Sequence, residues 1–500
     1  MTSFTRGPAT LLLLLAIAGS FAIAQSQDQP ARSIPFKTIV PYRGASFSNQ
    51  IMPAGGVQAG EGRVSPFTFS QLPYTVGSTV APTTSMPEAE EHIAVDPNNF
   101  KNLVAMISDF SLNGGFNTSK LGVSKNNGST WSQSFVPRSG GFPATADGHV
   151  WQANSDPVVA IDKLGNVYLA NLYLQVNGAG NVTNDGYYVC SATLASGPVF
   201  KQSGCHAVRT SLVPSANLED KGWLATDNTT SACSGNVYAS WTHFVDNTTD
   251  EIFFSRSTNH GVSWSSALHI DLAAQDGAVQ GSQVAVGPDG SVYVAYEVFL
   301  GTGATGQHFI AKSTNCGMTF GTPVHMTPVF NNLSFSAPYR DNSFPALAVN
   351  PKTGFIYDVY TDQPAASSKT RFVVSTTAGG LAFKAPKMAN DSSKGQRLMP
   401  AVAADSNGVV HISWFDTRNF GSVTSLDIFA TYTKDNGVNF AHNARVTSSA
   451  ILASSGGDFI GDYSGIAAGP NGTTSMSHPV WTSAGLNAGG KQQTARLTVP

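Results

Sequence analysis

One short phrase recurs seven times along this chain, always around a central alanine, and it restricts the fold more than any other feature. The copies are His92-Ile93-Ala94-Val95-Asp96, Val158-Val159-Ala160-Ile161-Asp162, Trp223-Leu224-Ala225-Thr226-Asp227, Gln283-Val284-Ala285-Val286-Gly287, Ala346-Leu347-Ala348-Val349-Asn350, Ala401-Val402-Ala403-Ala404-Asp405 and Gly465-Ile466-Ala467-Ala468-Gly469. Successive alanines lie 66, 65, 60, 63, 55 and 64 residues apart. A period held that closely marks a repeat architecture, in which each unit buries an apolar face against the next, rather than one globular core.

Most copies then turn through a Gly or Asn cluster into a second β-rich run. Examples are Lys163-Leu164-Gly165-Asn166-Val167-Tyr168, Pro288-Asp289-Gly290-Ser291-Val292-Tyr293 and Ser406-Asn407-Gly408-Val409-Val410-His411. Two such runs joined by a short polar turn form a β-hairpin. A second phrase follows about 30 residues after each alanine. It reads Ser124-Lys125-Asn126-Asn127-Gly128-Ser129-Thr130-Trp131, Ser257-Thr258-Asn259-His260-Gly261-Val262-Ser263-Trp264, Ser313-Thr314-Asn315-Cys316-Gly317-Met318-Thr319-Phe320 and Thr433-Lys434-Asp435-Asn436-Gly437-Val438-Asn439-Phe440, with looser forms at 191–200 and 375–383. In a tight turn the Asn or Asp accepts backbone N–H bonds, the Gly takes a positive φ, and the aromatic packs back as a plug.

Two hairpins per period predict four-stranded antiparallel sheets, and sheets repeated about an axis predict an all-β β-propeller. The alanine suits the innermost strand, where neighbouring blades converge; a solenoid of sandwich units is the alternative, but its repeats are usually shorter. The second phrase resembles the Asp-box, or BNR repeat, of the sialidase superfamily, SxDxGxxW, over roughly residues 85–440. Three of the four fuller copies carry Asn where that family usually has Asp. Sialidases have six blades, whereas seven alanine phrases favour seven, so six is kept as the alternative. The last repeat ends after its third strand, near Thr494-Ala495-Arg496-Leu497-Thr498-Val499. A strand from the N-terminal side, Val64-Ser65-Pro66-Phe67-Thr68-Phe69, is the expected donor that covers its open edge.

The expected organisation is a secretory signal peptide at 1–24, a flexible Gln-, Ser-, Pro- and Gly-rich leader at 25–62, and the propeller at 63–500. Arg6, an apolar core at 11–18 and the ending Ala22-Ile23-Ala24 carry the first assignment. No later stretch reaches the ~18 apolar residues of a membrane span, so an exported, unanchored monomer is expected. Charged residues are only 12% of the chain and the net charge is −3, which argues against nucleic acid as a partner. Cys190 and Cys205 flank the looser turn of the second repeat and are expected to pair; Cys233 and Cys316 are left open between a second disulfide and two free thiols. No zinc-ligand spacing is present, and no metal or cofactor is expected.

Propeller function resides in the loops that enter each first strand and those that join second to third strands. These contribute Asp156, Glu219-Asp220-Lys221, Tyr339-Arg340-Asp341, Arg397, Asp458, Asp462-Tyr463, and Asp416 with Arg418. Arg340, Arg397 and Arg418 come from adjacent repeats and are read as converging on one anionic group, since guanidinium forks match carboxylates. In the sialidase superfamily three arginines bind the sialic-acid carboxylate, a Glu-assisted Tyr attacks the anomeric carbon, and an Asp is the acid/base. The resemblance therefore implies Tyr463 as nucleophile, Glu219 as its helper, and Asp220 or Asp156 as acid/base. Arg340, Arg397 and Arg418, with Asp416, Asp341 and Asp462, would hold an acidic sugar of a glycan. The family's Phe/Tyr-Arg-Ile-Pro motif is not matched: Arg32-Ser33-Ile34-Pro35 has an insertion and falls in the leader. Two alternatives stand beside this reading. The same residues tie loops to neighbouring blades, with Asp416 and Arg418 pairing across a turn, or the propeller binds glycan or protein without turnover.

Overall fold

The computed structural model describes residues 70–75, 88–112, 116–136, 138–139, 142–176, 182–195, 197, 200–211, 218–245, 249–301, 303–334, 339, 342–453, 460–485 and 492–499. The expected signal peptide at 1–24, the expected leader at 25–62 and the expected donor run at 64–69 lie outside the described residues, as do Arg340, Asp341 and Asp458.

Seven antiparallel sheets with a four-strand path follow one another, each with an alanine phrase in its inner strand, and the fourth and sixth add a short fifth strand, Phe330–Asn331 and Ile451–Leu452. Their first strands are Glu88–Asp96, Ala153–Ile161, Leu218–Thr226, Val279–Val286, Ala346–Val349, Arg397–Ala404 and Gly465–Asn471, which define blades one to seven. These strands touch one another in order, and the seventh touches the first, so they form a closed inner ring. The alanine sits there because a small side chain lets the strands converge: Ala160, Ala348 and Ala467 are all buried. The fold is thus the expected propeller, with seven blades rather than six.

Ring closure differs from expectation in one detail. The seventh sheet takes its fourth strand from Ser70–Thr75, just after the predicted donor. That strand pairs antiparallel with Gln492–Val499, Ser70 opposite Thr498 and Thr75 opposite Gln493. The edge of the last blade is thereby covered.

Apolar side chains of successive blades interdigitate to form the core. Val104, Met106 and Leu121 of blade one pack on Val159, Ile161 and Leu169 of blade two. Tyr357 and Phe372 of blade five meet Val410 and Trp414 of blade six. Strands buried on both faces read as nearly continuous apolar runs, as in Val292–Leu300 (VYVAYEVFL). Removing one such large side chain costs about 3–5 kcal/mol.

The repeated turn is built the same way four times. Ser124, Ser257 and Ser313 use Oγ, and Thr433 Oγ1, to bond the Asn or Asp two residues on (2.8–3.0 Å) and to accept the Gly N–H four residues on (2.8–3.0 Å). The Asn or Asp then accepts the N–H four residues beyond it, at 2.9–3.0 Å. Asn126, Asn259 and Asn315 serve as well as Asp435 because the backbone N–H is taken by Oδ1 in every copy; the second terminal atom also bonds the side chain four residues on, with Asn Nδ2 donating to Thr130, Ser263 and Thr319 and Asp435 Oδ2 accepting from Asn439, each at 2.8 Å. The residue before each Gly shares the left-handed conformation: Asn127, His260, Cys316 and Asn436 have φ of 62°, 58°, 61° and 54°.

These turns lie on the face of the first-hairpin turns. Asn436 accepts the Tyr357 hydroxyl at 2.5 Å, and Cys316 is joined to Cys233 of the neighbouring blade. The pairing of Cys233 and Cys316, left open by the sequence, is therefore a disulfide. Cys190 and Cys205 are bonded as expected, directly opposite one another across their hairpin.

Candidate functional site

At the opposite face five of the seven inner strands begin with an irregularity. In blades one to four and six the ladder slips between Ala89/His92, Ser155/Val158, Asp220/Trp223, Gln280/Gln283 and Leu398/Ala401. At the slip one residue is left-handed: Glu90, Asp156, Lys221, Gly281 and Met399, with φ of 66°, 52°, 51°, 71° and 47°. Each lies four residues before its alanine, and the same position is Phe344 in blade five and Tyr463 in blade seven. A β-bulge bends its strand and re-aims a side chain. Repeated around a ring, it makes a collar at the mouth of the central channel.

A pocket of about 170 Å³ opens there, walled by Lys221, Gly281, Phe344, Met399 and Tyr463 of the collar, with Trp223 and Asp462 beside them. Gly281 is required by contact as well as by conformation, since a Cβ at this point would meet the Phe344 ring at 2.4 Å. Tyr463 and Trp223 meet edge-to-face at 6.0 Å. The Lys221 ammonium lies over the Tyr463 ring, 3.4 Å from its centroid, and 5.5 Å from that of Trp223. Lys221 is buried and its Nζ makes no hydrogen bond among the described residues.

Electrostatics at the mouth centre on that ammonium. Burial holds the Lys221 pKa below its ordinary value, partly offset by Asp156, Asp462, Glu90 and Asp220. Asp220 is raised well above the usual carboxylate range by burial, then by the charges of Asp156 and Asp462 and a side-chain hydrogen bond with Asp156. Asp220 is thereby disposed to keep its proton. Asp220 also accepts the Gln280 amide at 3.4 Å, and Asp156 accepts the Lys221 backbone N–H at 3.3 Å. Burial, reinforced by Lys221, pushes His92 down to about 3, so this pocket-wall imidazole is neutral at ordinary pH.

Sequence reasoning named Asp156, Asp220, Asp462 and Tyr463, and the structure brings all four to the mouth. The Tyr463 hydroxyl, however, donates to the Pro157 carbonyl at 3.0 Å. Burial, followed by the charges of Glu90 and Asp156, raises its phenol well above the ordinary value. Glu219 is not brought to it. Its carboxylate takes the Trp241 indole N–H at 2.5 Å, lies 3.0 Å from His243 Nδ1 and 3.4 Å from Arg209 Nε.

Arg397 and Arg418 meet, but on Asp416 of their own blade and away from the pocket wall. The Arg397 side chain is 0% exposed, with Nε 3.3 Å from Asp416 and its other nitrogens on the Gly395, Ser392 and Ser368 carbonyls. Arg418 bonds Asp416 at 2.7 and 2.9 Å and Asp391 at 2.7 Å, and covers Phe429 at 4.0 Å. The pairing of Asp416 with Arg418 across a turn is thus present. What sequence reasoning missed was the central place of Lys221 and the contribution of Glu90, Gly281, Phe344 and Met399. The signal was available as the residue four before each alanine.

Among the described residues, Glu251, His269 and Asp276 form a further cluster whose donor atoms could hold a cation. No helix of the described residues is long and apolar enough to cross a membrane.

No known family model and no curated protein matches the chain. Solved structures similar to it include a protein of unknown function from Dyadobacter fermentans, at 12% identity over 86% of this chain and 98% of that one, with a TM-score of 0.47. A Hadza microbial sialidase matches at 11% identity over 79% and 73% of the two chains, with a TM-score of 0.44. An ulvan lyase of a polysaccharide lyase family, bound to -[GlcA(1-4)Rha3S]-, matches at 9% over 85% and 95%, with a TM-score of 0.48. These likenesses are too remote to place the chain in any of their families.

Proposed function

We propose that this is an exported carbohydrate-acting propeller whose ligand site is the pocket at the channel mouth, and that it takes a terminal acidic sugar. One observation carries the reading: the Lys221 ammonium is buried against the pocket without a hydrogen-bond partner among the described residues. A buried charge left in that state is costly, and a ligand carboxylate or hydroxyl would complete it. Trp223 and Tyr463 supply ring faces and edges for a sugar, and Gln283, Asn342 and Ser464 supply polar contacts. The pocket is of single-sugar size, which favours a chain end over an internal residue. Two disulfides suit an oxidising compartment.

For hydrolysis, Asp462 is the carboxyl that reaches the pocket, while Asp156 and Asp220 are not part of its wall. Binding without turnover is favoured by a separate observation, the commitment of the Tyr463 hydroxyl to Pro157. The test is calorimetric titration with sialic acid, glucuronate and a neutral hexose, alongside fluorescence release from their 4-methylumbelliferyl glycosides. Lys221→Met should weaken acidic-sugar binding about 10- to 100-fold and leave neutral-sugar binding unchanged. Turnover abolished by Asp462→Asn would establish a glycosidase; binding without turnover in the parent would establish the second reading. No binding of any of the three sugars, or binding indifferent to Lys221→Met, would refute the site.

A further inference from the structure

We infer that blade three carries a divalent transition-metal site on its loop face, formed by Glu251, His269 and Asp276 with Asp271 beside the imidazole, and with Zn²⁺ as the best-matched ion. The residues come from three separate segments. Glu251 is in the third strand, Thr249–Ser257, and His269 in the fourth, Leu268–His269. Asp271 and Asp276 lie in the connection that leads to blade four at Val279–Val286.

The donor atoms of Glu251, His269 and Asp276 all lie within 4.8 Å of one another. His269 Nε2 is 2.8 Å from Asp271 Oδ1 and 3.4 Å from Asp276 Oδ1. Two carboxylates therefore contact the His269 ring nitrogen, and a third, Glu251, has a donor atom within 4.8 Å of it. Arg209, which lies over Phe253 of this blade, faces Glu219 at 3.4 Å.

A second, independent observation points to a ligand. The Asp271 side chain is 0% exposed. Its Oδ1 accepts the Ile252 N–H at 2.7 Å, but its Oδ2 is buried with no hydrogen-bond partner among the described residues, and so is Asp276 Oδ1. The Nε2 proton of His269 can serve one carboxylate oxygen well and leaves the others uncompensated. An ion in place of that proton would accept the ring nitrogen and the carboxylate oxygens together.

The donor set selects the ion. One imidazole with carboxylates suits Zn²⁺ or Mn²⁺, whereas Ca²⁺ and Mg²⁺ prefer oxygen alone. Donors held at roughly 2.0–2.2 Å from Zn²⁺ need to draw a little closer than their present spread. His269 and Asp276 remain 35% and 26% exposed, which gives the ion a path in. Its effect would be to clamp both outer strands to the connection that continues into Gln280, the partner of Asp220, and into Gly281 of the pocket wall.

The experiment is titration of the full, chelator-stripped chain with ZnCl₂, MnCl₂ and CaCl₂, read by calorimetry and by thermal unfolding. One equivalent of Zn²⁺ should bind and raise Tm, CaCl₂ should do neither, and His269→Ala and Asp276→Asn should each weaken Zn²⁺ binding by more than about tenfold. His269→Gln serves as a second variant if His269→Ala does not fold. Absence of stoichiometric Zn²⁺ binding to the parent, or Zn²⁺ binding that survives these substitutions unchanged, would overturn the site.

Discussion

On the face of the repeated turns, Ser124, Ser257, Ser313 and Thr433 bond the same partners in blade after blade. At the channel mouth, one inner-strand position holds Glu, Asp, Lys, Gly, Phe, Met and Tyr in turn, and the charge on Lys221 has no hydrogen bond among the described residues. A shared pattern of hydroxyl, Asn or Asp, and Gly at the first place makes the same turn four times and supports the ring. Divergent sequence at the second, on a strand start that is bulged in five blades and not in the other two, makes a pocket with an individual chemistry. Regularity thus reports the architecture, and function is to be sought where a repeated position stops repeating its side chain.

The largest test of this contrast is on the turn face. Cys233 and Cys316 enclose a sequence separation of 83 residues, so replacing both with Ser should cost about 4–5 kcal/mol in chemical denaturation. Sugar affinity at the mouth should stay within about twofold of the parent by calorimetry. A loss of affinity in the folded variant would show that the two faces are coupled.

The loop face should show an opposite pH response to that of the turns. Burial raises Glu297, at the loop-face end of the second strand of blade four, to about 7. Its native form binds more protons than the unfolded chain between pH about 4.5 and 7, so its contribution to stability is lost as pH rises through that window. Glu297→Gln should remove this loss, on the order of 3 kcal/mol, in denaturant titrations at pH 4.5 and 8. At Asp435, by contrast, burial is outweighed by hydrogen bonds from Asn439, Thr433 and Val438, which hold its carboxyl below the usual value. Its contribution is present above the ordinary carboxylate pKa and is lost as pH falls through the lower native one. An unchanged pH profile in Glu297→Gln would remove this difference between the faces.

Smaller effects sharpen the same comparison. Ser257→Ala deletes the hydroxyl that accepts the Gly261 N–H at 2.9 Å and bonds Asn259. It should cost about 1–2 kcal/mol in thermal unfolding. Asp435→Asn should stay within about 0.5 kcal/mol at pH 7, because Asn already fills this role in three other turns. A larger loss would mean that the carboxylate charge, or the second acceptor it offers Asn439, holds the turn of blade six.

Most of the architecture was legible in residue spacing. The alanine period located all seven first strands, and the Ser/Thr, Asn/Asp and Gly offsets located the turns, because both encode short-range backbone geometry. The closing strand was displaced to Ser70–Thr75, since pairing across the ring depends on a contact between distant segments that no local pattern records. At the mouth, Asp156, Asp220, Asp462 and Tyr463 could be found from loop placement. Which of them pair could not: Glu219 turns to Trp241 and His243, and Arg397 to Asp416, because side-chain direction across a bulge is set by the slipped ladder. Lys221 stood in the same tripeptide as two named residues, yet only the folded ring shows that its ammonium reaches Tyr463.

The pairing of Ser70–Thr75 with Gln492–Val499 sets an order of events for a chain made from one end to the other. Blades one to six can stack as they emerge, each docking on its predecessor. The first strand to appear must then wait for the last, a closure of very long range that slows the final step. Until it arrives the seventh sheet lacks both of its outer strands and its edge is bare, and this is the interval in which a protease or a neighbouring chain has most access to it.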